Sequence, residues 1–193
     1  MSSSIDIASN ALLLIGDNPI SSFNDPGAGA QAAANLYPQT KEMVLSYHPW
    51  SFAMKHQELS RLSAVPDKRT GYKYAYKTPT DLIRLWAIMP HSDYVIVGEN
   101  ILSNEPALLA RYVYNVAESS IPAQLVKAME YQMASEFSIS VTEDENKAAF
   151  YQQKANLQLA KASNVDSQGQ PQQSIASSPF IEARHGGFSG SYF

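Results

Sequence analysis

Ile5, Ala8, Leu12 and Ile15 recur at three- and four-residue spacing, the step that keeps apolar side chains on one face of an α-helix. Ser3 or Ser4 can cap the start and Gly16 suits the stop, so a helix is predicted over about 4–16. A second helix is predicted over about 26–48. Asp25 is placed to cap it with Pro26 just inside, and Leu36, Thr40, Val44 and Tyr47 mark one face. Pro38 falls inside that pattern and is expected to kink or split the helix. Pro49 cannot easily continue it, which ends it near His48.

The period then drops to two. Tyr72, Tyr74 and Tyr76 alternate with Lys73, Ala75 and Lys77, the pattern of a half-buried strand. "LIRLWAI" follows, then "YVIVGENILS", a hairpin whose turn is expected near Gly98-Glu99-Asn100, and "LLARYVYNV" alternates again. Residues 51–116 therefore predict a small antiparallel sheet. Helical spacing returns over about 120–141, where Leu125, Met129, Met133 and Phe137 step by four. A last helix is predicted over about 143–162. Thr142 and Glu145 stand at capping-box spacing, and Phe150, Leu157 and Ala160 are expected to form its apolar face. Glu143, Asp144 and Glu145 in its first turn and Lys161 near its end suit the helix dipole.

From Asn164 the chain turns polar and low in complexity, then ends on "SSPFIEARHGGFSGSYF". The resulting architecture is α+β. A bundle of N- and C-terminal helices holds a small antiparallel sheet inserted between its helix pairs. Residues 1–163 form the body and 164–193 an extended C-terminal tail. Trp50, Phe52, Leu85 and Trp86 are expected to be core at the helix–sheet junction, where large rings fix the orientation of helices on a sheet.

Composition narrows the chemistry. Among 193 residues, 45% are hydrophobic, enough for a real core. The net charge is −4, from 18 acids against 14 bases, and no basic run occurs, which argues against gripping nucleic acid by its phosphates. The absence of cysteine excludes disulfides and thiolate-bound zinc. No stretch approaches the ~20 apolar residues that span a bilayer. "MSSSIDIASN" lacks the basic n-region of a secretory signal, so synthesis in the cytoplasm without export by a standard route is expected.

No motif points to catalysis. His48, His56, His91 and His185 show neither H-x-x-x-H nor HExxH spacing. The "TEDE" carboxylates are explained by helix capping. "GAGAQA" lacks the lysine of a phosphate loop and follows no strand, and "GGFSGS" has Ser191 where a nucleophile elbow needs glycine. The Tyr/Lys alternation at 72–77 could stack bases, but an amphipathic strand explains it more simply. The expectation is a non-enzymatic protein without cofactor or metal. A small nucleic-acid-binding protein and a hydrolase using His48, His56 or the "TEDE" carboxylates stand as alternatives.

Taken in order, "ALLLIGDNPISSF", "VLSYHPWSFA", "TPTDLIRLWAI", "ALLARYV" and "LVKAMEYQMASEF" resemble the tail tubular protein A family, the head-to-tail adaptors of short-tailed phages. The likeness spans roughly Ser4 to Ala162. It implies a structural virion protein that assembles as a dodecameric ring between the portal of the capsid and the nozzle of the tail. Its implied partners are the portal protein, the nozzle protein and copies of itself, with no membrane. Its implied places are the virion neck and, during assembly, the host cytoplasm. Genomic DNA would pass through the lumen without specific binding, and twelve copies at −4 would total about −48, discouraging DNA from sticking. In this family the chain's end lies along the portal. Phe180, Ile181, Arg184, Phe188, Tyr192 and Phe193 are the anchors inferred here from the residues of the tail.

Overall fold

The computed structural model describes residues 3–64 and 66–169. These form four α-helices and two three-stranded antiparallel sheets, an α+β fold. Helix α1 (Ser4–Ile15) starts in a capping box: the Asp6 amide donates to Ser3 Oγ at 3.1 Å and the Ser3 amide to Asp6 Oδ2 at 2.8 Å. It stops at Gly16, whose φ of +89° places it in the left-handed region. Ile7, Ala8, Ala11, Leu12 and Ile15 are its buried face.

Helix α2 (Ala28–Ser46) starts two residues later than predicted, with Gly27 as its cap. Asp25 instead closes the preceding turn, accepting from the amides of Ser21 and Ser22. Pro38 lies inside α2 and does not split it. A proline there deletes one i→i−4 bond, and the burial of Tyr37, Thr40, Lys41 and Val44 on either side of the next turn holds the helix together. Tyr47, expected on the buried face, is exposed.

Helices α3 (Ala123–Ser140) and α4 (Glu145–Gln168) follow the strands. α3 is the centre of the bundle, packed against α1, α2 and α4. The predicted stripe of Leu125, Met129, Met133 and Phe137 is fully covered. Because α3 is surrounded, several of its polar side chains are also buried or half-buried and find partners. Glu130 accepts from Asn10 and Lys127, Ser135 donates to the Ala148 carbonyl, and Thr40 of α2 donates to Glu136.

α4 departs from expectation in three ways. Its cap is Asp144, which accepts from the Lys147 amide, while Thr142 donates back to Ser138 and finishes α3. Its buried stripe is Ala148, Ala155, Leu159 and Ala162, whereas Phe150, Leu157 and Ala160 face outward. It also runs to Gln168, through the start of the predicted tail. Its last turn is tied down by Asp166, which accepts from the amide and hydroxyl of Ser51.

The strands are β1 (Met54–Glu58), β2 (Tyr74–Lys77), β3 (Leu82–Met89), β4 (Tyr94–Val97), β5 (Asn100–Ser103) and β6 (Leu109–Tyr114). One sheet has the order β1-β6-β3 and the other β2-β5-β4. The β4–β5 hairpin turns at Gly98-Glu99, with Gly98 at φ +59°. Along β6 the faces divide: Val113 joins the helical core, and Ala110 and Tyr112 join a second core with Tyr76, Ile88 and Ile101. The β1-β6-β3 sheet is thus a middle layer between the helices and the second sheet.

Candidate interaction surfaces

Trp50 is where the helical core meets the strands. It is 1% exposed, its Nε1 donates to the Val44 carbonyl at 3.1 Å, and its ring lies edge-on to His48 at 5.0 Å. Phe52 packs beside it, with centroids 6.2 Å apart, and Leu85 is partly buried against the second core. Trp86 is not core. It is 43% exposed, with the Arg84 guanidinium 5.3 Å from its ring. The reason lies in β3, whose pairing with β6 shifts between Leu82 and Arg84 and again between Leu85 and Ala87. Each shift resets which side chains face inward.

Trp86 belongs instead to an exposed surface at the junction of the two sheets. β3 is an edge of its sheet and β4 an edge of the other, and residues 90–93 join them. A depression lined by Trp86, Ile88, His91, Asp93 and Tyr94 lies at this junction. Beside it all four residues of β4 are exposed, Ile96 by 50% and Val97 by 53%. With Trp86 and Met89, these side chains place six large, mostly apolar residues at one exposed corner of the fold. The opposite edge of that sheet is already covered, because Leu62 and Lys77 amides bond to the Ala75 and Ser60 carbonyls. β4 therefore presents an uncharged strand edge of the kind that soluble proteins usually blunt.

A second surface lies at the end of α4. Trp50, Phe52, Pro122, Leu125, Ala162 and Val165 line an apolar groove of about 320 Å³, with Asp166 at its rim. Val165 is half exposed there. Phe150 and Leu157 form a narrower stripe one heptad apart on the outer side of α4, where Lys154 Nζ covers Phe150 at 4.6 Å.

The remaining candidates sit on separate elements. His48 Nε2 lies 3.6 Å from Asp166 at the end of α4, His56 is on exposed β1, and His91 is in the 90–93 link. His185 lies outside the described residues, as do Phe180, Ile181, Arg184, Phe188, Tyr192 and Phe193. Among the described residues no three His, Asp or Glu side chains are grouped to hold a metal ion. Gly29 of "GAGAQA" allows close packing of α2 on α1: a Cβ there would stand 2.7 Å from Asp17 Oδ2 and 3.1 Å from Leu12. Tyr76 is 1% exposed and Tyr74 lies under the Arg61 guanidinium at 4.1 Å, so neither presents a bare ring.

Two ionic networks were not visible in the spacing of the residues. Lys41 of α2 reaches Glu118 at 2.9 Å, and Tyr37 donates to the same carboxylate at 3.0 Å. Burial pushes the Glu118 carboxyl up, but the Lys41 and Tyr37 hydrogen bonds and its own backbone hold it below the usual range. Burial, reinforced by Glu118, pushes the Tyr37 hydroxyl up. On the middle sheet, Asp81 accepts from Lys55 at 2.7 Å and from Tyr112 at 2.9 Å; the Lys55 bond holds its carboxyl down. Both networks join elements far apart in sequence.

Compared with known proteins, the chain matches no family model and no curated protein. Among the described residues no helix is long and apolar enough to cross a membrane.

Proposed function

We propose that this protein is a structural ring subunit, a head-to-tail adaptor of a short-tailed phage that joins a portal to a tail nozzle around the DNA channel. The order of sequence stretches from Ser4 to Ala162 suggests the family. The observation that carries the reading is the open side of the two sheets, where Trp86, Met89 and Tyr94–Val97 stand exposed without a charged residue within β4. A ring segment needs a different surface on each flank, since head-to-tail contacts join unlike patches around a closed circle. The β3–β4 side supplies one such flank, and the outer face of α4 with Phe150 and Leu157 supplies a second, chemically different one. In this reading Phe180, Ile181, Arg184, Phe188, Tyr192 and Phe193 grip the portal.

The test is the mass of the particle formed by the protein alone and after mixing with a portal ring. A closed oligomer, alone or on the portal, is expected. Ile96→Lys places a charge in the strand edge, where Ile96 is half exposed, and should block assembly while leaving thermal unfolding of the protomer unchanged. Replacing Phe180, Phe188, Tyr192 and Phe193 together by Ser should lower portal affinity at least tenfold. A protein that stays monomeric with a portal present, or assembles equally well as Ile96→Lys, overturns the reading.

A further inference from the structure

We infer that the apolar groove at the end of α4 is the resting seat of the chain's own C-terminal segment, with Phe180 and Ile181 as the side chains that fill it. The groove is built from three separate stretches: Trp50 and Phe52, the start of α3 at Pro122–Leu125, and the last turns of α4 at Ala162–Asp166. Its volume, about 320 Å³, lies at the low end of the roughly 300–1,000 Å³ typical of small-ligand pockets. That size suits a few side chains of an extended segment and not a folded partner.

The occupant follows from where the chain leaves the groove. α4 ends at Gln168, immediately after the lining residues Val165 and Asp166, and 24 residues follow Gly169. The first stretch, GQPQQSIASSP at 169–179, is polar but for Ile175. A linker of that length spans roughly 18 Å root-mean-square, so Phe180 and Ile181 stay near the groove at millimolar effective concentration. They are the only adjacent pair of large apolar residues beyond Gln168 apart from the terminal Tyr192-Phe193. Charge agrees as well. Asp166 is the carboxylate at the groove rim, and Arg184, three residues past Ile181, is the one arginine on the segment. Seating Phe180 and Ile181 would cover half-exposed Val165 and the exposed part of Phe52, above the already buried Trp50 ring. It would also keep sticky rings from associating before assembly.

This inference concerns the free chain and does not depend on a portal, so it stands or falls separately from the ring assignment. Its test uses the whole 193-residue chain, which has no cysteine. Gln124→Cys at the exposed groove rim is paired with Glu182→Cys beside the anchors, and disulfide formation under mild oxidation is followed on non-reducing gels. A control pairs Glu182→Cys with Gln57→Cys on exposed β1, outside the groove. The expected result is an intrachain disulfide that forms at least tenfold faster for the groove pair than for the control. Adding Phe180→Ser and Ile181→Ser should slow it about tenfold or more, the factor that burial of such side chains supplies. Equal rates for groove and control, or no effect of the serines, would show only the tether and overturn the proposal. Predominantly interchain disulfides at micromolar protein would overturn its intrachain form.

Discussion

Trp50→Phe is the substitution that most directly probes how the helices are held on the middle sheet. The indole is 1% exposed, so shrinking it leaves a void of roughly 40 Å³, and at about 24 cal/mol per Å³ that costs about 1 kcal/mol. The variant also loses the Nε1 bond to the Val44 carbonyl, a buried contact worth about 1 kcal/mol. The Val44 carbonyl keeps a second, longer partner in the Tyr47 amide at 3.4 Å, which limits the penalty. The sum is about 2 kcal/mol, or a fall in Tm of roughly 4–8 °C for a chain of this size. Urea unfolding followed by circular dichroism reads the first number and calorimetry the second. Only two tryptophans exist, so emission separates them. Trp50→Phe leaves the spectrum of exposed Trp86, red-shifted like a solvated indole. Trp86→Phe leaves the blue-shifted spectrum of Trp50 and changes stability by less than about 0.5 kcal/mol. A loss under about 0.5 kcal/mol in Trp50→Phe, or red-shifted emission in Trp86→Phe, refutes this account of the junction.

Two further substitutions test local arguments. Gly16→Ala meets no atom within 4 Å, so its cost is purely the φ of +89°; about 1 kcal/mol of stability should be lost in urea unfolding. Glu118→Gln tests the Lys41–Glu118–Tyr37 tie. The folded carboxyl lies below its unfolded value, so its contribution is complete above the unfolded glutamate range of about 4.3 and fades as pH falls through the folded value. Wild-type Tm should therefore drop more steeply than that of Glu118→Gln as pH falls below about 5. Near neutral pH the variant should lose about 1–2 kcal/mol, because Lys41 is left largely buried without a counter-charge.

Where the chain's pattern failed to locate the core, each failure has an identifiable physical cause. Helix α1, the α3 stripe and the Gly98 turn could be read directly because each depends on local spacing and on residues with strong backbone preferences. The face of α4 could not. It packs on α3 through Ala148, Ala155 and Ala162, small residues that let the helices approach closely, so its largest apolar side chains, Phe150 and Leu157, point away. At Trp86 the cause is pairing: two register shifts of β3 against β6 turned it outward, where strict alternation would have buried it. The end of α4 was hidden for a different reason. Residues 163–168 are mostly polar, and what holds them helical is a contact 115 positions away, Asp166 on Ser51.

The misplaced residues are themselves informative. Periodicity identifies apolar surface that will be covered, but it does not say whether the cover is the same chain or another molecule. Phe150, Leu157 and Trp86 carry the sequence character of core and sit on the outside. So does β4, four uncharged residues whose outer edge has no partner strand among the described residues and whose two faces are exposed. A protomer built to stay alone would place charge at such positions, as edge strands ordinarily do. Charge does stand on other elements, at Lys55, Lys77, Lys127 and Lys154, and none of it falls within β4. The same residues that defeated the one-chain reading are thus the ones on which the proposed assembly would have to rest.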